Sequence, residues 1–125
     1  KKKMKKRKMQ KKKIYKKYSE KLSNITGIDF IETNLKNTTI WSVEILLKSK
    51  KEKIRLMDYL DKRNIETRIL FPPIHRMFAY KRSDSKFKIT LDVSERGLWL
   101  PSSTTLTEKQ LELVCRTIIE FFKSN

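Results

Sequence analysis

Apolar residues recur along this chain with two different periods, and the alternation between them predicts the elements. Ile14, Tyr15, Tyr18 and Leu22 fall three and four residues apart, which is the spacing of one helical face. The stretch from Lys1 to Leu22 holds no Gly or Pro, so a helix is expected whose second half packs on the body and whose lysine-rich first half frays. Gly27 is suited to the turn that follows. Ile28 to Glu32 and Thr39 to Leu47, the latter rich in β-branched and aromatic residues, predict two strands joined as a hairpin by a polar turn at Asn34 to Asn37. Ser49-Lys50-Lys51-Glu52 has the form of a capping box and opens a helix with Ile54, Leu56, Met57 and Leu60 turned inward.

Ile65 to Leu70 predicts a further strand. Pro72 and Pro73 stop it, because proline fixes φ and lacks a backbone donor. The segment from Phe71 to Lys88 is expected to be a loop with Ser83 to Lys86 as its polar tip. Thr90 to Arg96 is expected to form a short helix capped by Gly97, and Leu98-Trp99-Leu100 an extended segment stopped by Pro101. Thr107-Glu108-Lys109-Gln110 is a second capping box. Behind it Leu111, Val114, Cys115, Ile118, Ile119 and Phe122 make a buried stripe. Together these elements predict an α+β fold: a small, mainly antiparallel sheet covered by helices.

Charge changes the picture at one end only. Residues 1–17 hold 12 of the 31 basic residues and no acid. From Tyr18 onward 19 basic residues face 14 acidic ones, so a mildly basic body, residues 18–125, carries +5 behind a basic helical leader, residues 1–17. The leader is a solvated helix face, the cut end of a longer helix, or a grip on nucleic acid or an anionic membrane. A free-standing basic nucleic-acid-binding module is therefore the alternative to the functional reading given below. No apolar run reaches the roughly 18–20 residues of a membrane span. One cysteine, Cys115, and one histidine, His75, exclude an internal disulfide and the usual Cys/His zinc site, and fit a reducing, cytoplasmic setting.

Candidate chemistry collects around Arg68 to Tyr80. His75 follows the two prolines and is either a ligand or proton-transfer group or a structural histidine. Arg68 is suited to clamp a phosphate or carboxylate, or else pairs with Glu66. Tyr80 either covers a ligand or packs the loop down. Two glycines, Gly27 and Gly97, cannot make a Gly-rich phosphate loop, and no nucleophile–base set appears.

Four stretches together resemble the C-terminal part of the DegT/DnrJ/StrS aminotransferases. They are Ile14-Tyr15-Lys16-Lys17-Tyr18-Ser19-Glu20-Lys21-Leu22; Leu60-Asp61-Lys62-Arg63-Asn64-Ile65-Glu66-Thr67-Arg68; Phe71-Pro72-Pro73-Ile74-His75 with Tyr80; and Leu98-Trp99-Leu100-Pro101 with Leu106-Thr107-Glu108. Asn64 stands where the family has glycine, and asparagine also tolerates the left-handed backbone. The resemblance implies the C-terminal small domain of a fold-type I transferase that uses pyridoxal phosphate to aminate nucleotide-linked keto sugars, with an amino donor, in a homodimer. It implies substrate-side positions for Arg68, His75 and Tyr80. The catalytic lysine and cofactor segments belong to the family's larger domain. This chain is therefore expected, as a fragment or a degenerate relative, neither to hold the cofactor nor to transaminate alone.

Overall fold

A computed structural model describes residues 2–124; Lys1, the first residue of the expected leader, lies outside the described residues. Helix α1 (Lys2–Leu22) leads into β1 (Ile28–Phe30) and β2 (Val43–Leu47), followed by α2 (Lys50–Asp61) and the two-residue β3 (Arg68–Ile69). After three single 3₁₀ turns come α3 (Lys88–Arg96), β4 (Gly97–Leu100) and α4 (Glu108–Lys123). The sheet order is β1-β2-β4-β3, with every neighbouring pair antiparallel. The expected α+β architecture is therefore the one observed.

Alternation sets the two faces of the sheet. Val43, Ile45 and Leu47 of β2 and Leu98 and Leu100 of β4 point into the core. There they meet Ile14, Tyr18 and Leu22 of α1, Leu56 and Leu60 of α2, and the buried stripe of α4. The opposite face carries Glu44, Leu46 and Trp99, all half-buried, with Glu44 directly across from Trp99. Both expected helix starts are observed, but only the second is a full capping box, since Glu52 turns its carboxylate to the Lys48 amide at 3.0 Å and not to that of Ser49. Ser49 accepts from the Glu52 amide, and Thr107 and Gln110 exchange hydrogen bonds in both directions.

The chain departs from the sequence reading in five places, each with a tertiary cause. On α2, Ile54 faces solvent while Lys53 is buried. The Lys53 stem crosses the core edge, and its Nζ donates to the Ser94 carbonyl, 3.4 Å away, at the C-terminal end of α3. On α4, Thr117 and Phe121 are buried while Ile119 and Phe122 are half-buried. Thr117 fits inside because its hydroxyl returns to the Leu113 carbonyl at 2.8 Å. The strand expected from Thr39 begins only at Val43, leaving Trp41 68 % exposed. The strands expected over 28–32 and 65–70 shorten to three and two residues, since both are edge strands with one partner each. Gly97 is not a left-handed cap: with φ −78° and ψ 144° it already belongs to β4.

Candidate functional site

The site residues sit where β3 ends and the long loop begins. Asn64 takes φ 57°, the left-handed turn that glycine would make at least cost, and lets the Ile65 amide return to the Leu60 carbonyl at 3.0 Å. This stop on α2 aims the chain into β3, where Arg68 pairs in register with Trp99. The Arg68 guanidinium is exposed and meets Glu66 through Nε at 3.2 Å and Nη2 at 3.1 Å. An ion pair this open to water is weak, so the arginine can exchange Glu66 for an incoming anion.

Beyond Phe71-Pro72-Pro73 the loop is held by a compact polar clip. The carboxylate of Asp84 accepts from His75 Nε2 at 3.0 Å and from Arg76 Nε at 3.1 Å on one oxygen, and from Arg76 Nη2 at 2.7 Å on the other. The His75 ring stacks on Phe87 with centroids 4.4 Å apart, and its carbonyl accepts from the Arg82 amide at 2.9 Å. The Ser94 hydroxyl donates to the Phe71 carbonyl at 3.3 Å and ties the start of the loop to α3. The Arg76 guanidinium, and next the hydrogen bond from His75, hold the Asp84 carboxyl below the usual carboxylate range. A depressed carboxyl pKa stabilises the folded loop above the unfolded value of about 4 and loses that effect as pH falls through the folded value.

His75 is therefore not displayed to solvent: its side chain is 5 % exposed, and it orders the loop from inside. Tyr80 and Arg68 stay open, and Phe78 between them in sequence is 100 % exposed. Arg68 lines a groove of about 600 Å³ with Trp41, Asn64, Thr67, Trp99 and Gln110, a groove that includes neither His75 nor Tyr80. Trp41, Phe71 and Trp99 form an aromatic triangle at its edge, with centroids 4.8 to 6.5 Å apart. Asp84 and this triangle are absent from the sequence reading. Asp84 carried one signal, as the sole acid between Glu66 and Asp92 in a stretch rich in Arg and Lys. The triangle joins residues from three separate segments and carried none.

Asp84→Asn should loosen the loop alone. The Arg82 amide is expected to exchange several-fold faster with solvent deuterium while the Ile45 amide, in the central strand, is unchanged. Acidification through the folded Asp84 carboxyl pKa, which lies below the unfolded value of about 4, should likewise lower the protection factor of the Arg82 amide in the parent chain. Equal protection of Arg82 in both proteins at neutral pH would show that the clip does not hold the loop.

The sequence matches the model of the "DegT/DnrJ/EryC1/StrS aminotransferase family" over residues 2–119. The chain belongs to this family. Among curated relatives it is 37 % identical over 84 residues to the GDP-perosamine synthase of Escherichia coli O157:H7, which covers 67 % of this chain and 23 % of that protein. It is 32 % identical over 95 residues to the GDP-perosamine synthase of Vibrio cholerae, covering 73 % of this chain and 26 % of that one. The fold is shared with the aminotransferase TlmJ from Streptoalloteichus hindustanus (TM-score 0.82, 18 % identity, 94 % of this chain and 32 % of that one). It is also shared with DesV of S. venezuelae, solved with a ketimine intermediate (TM-score 0.81, 20 % identity, 91 % and 31 %). The chain thus spans about a quarter of the curated relatives' length and about a third of the structural ones.

Family members use pyridoxal phosphate. The buried lysine, Lys53, has its pKa lowered by burial, as an imine-forming lysine would, but its amine is spent on the Ser94 carbonyl inside the α2–α3 contact. Its charged neighbours are Lys50, which lowers the pKa further, and Glu95, which raises it.

Proposed function

We propose that this chain serves as the C-terminal small domain of a sugar-nucleotide aminotransferase resembling GDP-perosamine synthase, forming one wall of a substrate site completed by a larger, cofactor-bearing domain. The observation that carries this reading is the uncovered surface of the loop. Ile74, Met77, Phe78 and Tyr80 are exposed together on a segment whose interior is pinned by the Asp84 clip, beside the exposed Trp41 and Phe71. Ordered apolar surface of this extent is characteristic of a face that another body covers. Arg68 supplies the cation for a nucleotide phosphate, Tyr80 a hydroxyl for the sugar, and His75 keeps the loop that bears Tyr80 in shape. In the assembled enzyme, proposed to be a cytoplasmic homodimer, the other substrate is an amino donor such as glutamate. The cofactor chemistry belongs to the larger domain.

The test is a chimera in which this chain replaces the matching region of the E. coli GDP-perosamine synthase. The chimera is expected to aminate the nucleotide-linked keto sugar. Arg68→Ala should raise KM for that sugar roughly 10- to 100-fold, the loss of a hydrogen bond to a charged group, and leave KM for glutamate unchanged. A folded but inactive chimera, or an active one in which neither Arg68→Ala nor Tyr80→Phe moves the sugar's KM, would overturn the assignment.

A further inference from the structure

The basic half of α1 is not used by the site above. Lys13 pairs with Glu108, and Lys17 and Lys21 share Glu112, which pins the second half of α1 to α4. Lys5, Lys8, Lys12 and Lys16 recur at spacings of three and four and so share one stripe. Among the described residues none of the four is ion-paired. The stripe runs into a trough of about 640 Å³ between α1 and the turn after β1. Lys36 closes the far side of that trough. Its position is set by the Asn34 side chain, which accepts from the Lys36 amide at 3.0 Å, while the Asn34 carbonyl accepts from Thr38 at 2.9 Å. Lys12, Lys16 and Lys36 line the trough with the ion-paired Lys13 and Lys17 and the carboxylates of Glu20 and Glu108, and Lys5 and Lys8 continue the unpaired stripe beyond it, so that five unpaired ammonium groups follow one another over this face.

We infer that this face binds the phosphodiester backbone of a nucleic acid without reading its sequence. At about 1.5 Å per residue, Lys5 to Lys16 span ~16 Å, close to the rise of five phosphates on one strand at 3.4 Å each. The lysines repel one another along the helix, and a line of phosphates relieves that repulsion. No exposed aromatic stands in the trough to stack on bases, and no arginine fork aims at base edges, so the contact is with the backbone. An anionic membrane fits less well. The apolar residues of this half-helix are the isolated Met4 and Met9, too few for the continuous apolar face of an interfacial helix.

The experiment is fluorescence anisotropy of the whole 125-residue chain with a 20-bp mixed-sequence DNA duplex and, separately, a 20-nucleotide single-stranded RNA, between 50 and 200 mM NaCl. Five backbone contacts give a log–log salt slope near −4.5 on the duplex and near −3.5 on the single strand, and the duplex loses roughly 500-fold in affinity across that range. The triple variant Lys5→Gln, Lys8→Gln, Lys12→Gln should flatten the duplex slope to about −1.8. Glutamine keeps helix propensity, so far-ultraviolet circular dichroism should not change. The triple variant Lys51→Gln, Lys86→Gln, Lys88→Gln removes equal charge elsewhere and should leave the slope as it was. The inference fails if both triples flatten the slope alike, which would mean net charge alone. It also fails if no binding is seen at 50 mM salt, or if vesicles with 30 % anionic lipid bind more tightly than either nucleic acid.

Discussion

Replacing Tyr18 with alanine is expected to lower the unfolding free energy by about 4 kcal/mol, a large share of the roughly 5–15 kcal/mol that holds a domain of this size. The ring is 0 % exposed at the centre of the core, between Ile14 and Leu22 on the same face of α1. Its hydroxyl donates to the Pro101 carbonyl at 2.8 Å, a contact that spans 83 residues and fastens the helix to the exit of β4. Burial raises the phenol pKa far above neutrality, so the hydroxyl remains a donor at every pH at which the protein folds. Most of the loss comes from the cavity left by the ring, which helices on two sides cannot fill by collapsing. Tyr18→Phe separates the two parts. It keeps the ring and leaves the Pro101 carbonyl short of a donor, at a cost of about 1 kcal/mol. Urea unfolding followed by circular dichroism measures both. An alanine variant within 1 kcal/mol of the parent would mean that α1 does not contribute to the cooperative core.

Gly97→Ala should cost about 3 kcal/mol, for a reason the sequence alone misplaces. A glycine after a helix suggests a left-handed cap, where alanine costs little more than about 1 kcal/mol and asparagine less. The observed backbone is extended, so no conformational argument applies. What a Cβ would meet is Leu70, with Cδ1 at 2.1 Å and Cγ at 2.6 Å, and the Val93 carbonyl oxygen at 2.7 Å. Leu70 can swing aside, but the carbonyl is backbone at the end of α3, so β4 and α3 must separate. Leu70 is also the last residue before Phe71-Pro72-Pro73, and displacing it shifts the start of the loop that carries His75 and Tyr80. Thermal unfolding of Gly97→Ala, Leu70→Ala and the double variant forms a cycle in which the double is expected to be less destabilised than the sum of the two singles. Strict additivity, or a Gly97→Ala loss below 1 kcal/mol, would rule out the steric account.

Where a signal was local, the chain could be read directly. The side-chain caps at Ser49 and Thr107, the stop at Pro72-Pro73 and the left-handed Asn64 each depend on residues within four positions, and each behaves as its chemistry dictates. The four stretches that resemble the aminotransferase family keep their order through a fold that covers about a third of a solved relative. The geometry of the candidate site was only partly legible: Arg68 and Tyr80 stand open to solvent, whereas His75 is turned inward onto Asp84 and Phe87. Nothing in the spacing of His75 and Asp84, nine residues apart across two 3₁₀ turns, specifies that they meet.

By itself, the sequence determined which segments are helix and strand, the antiparallel hairpin and the basic leader, and its four motif stretches carried the resemblance to the family. The elements and the leader follow from periodicity, caps and charge, which act over a few residues. Tertiary structure alone decided that Lys53 rather than Ile54 turns inward, that Gly97 is needed for space, that Trp41, Phe71 and Trp99 meet, and that His75 orders its loop. Each of those depends on which surfaces distant segments present to one another, and close packing admits only one such arrangement.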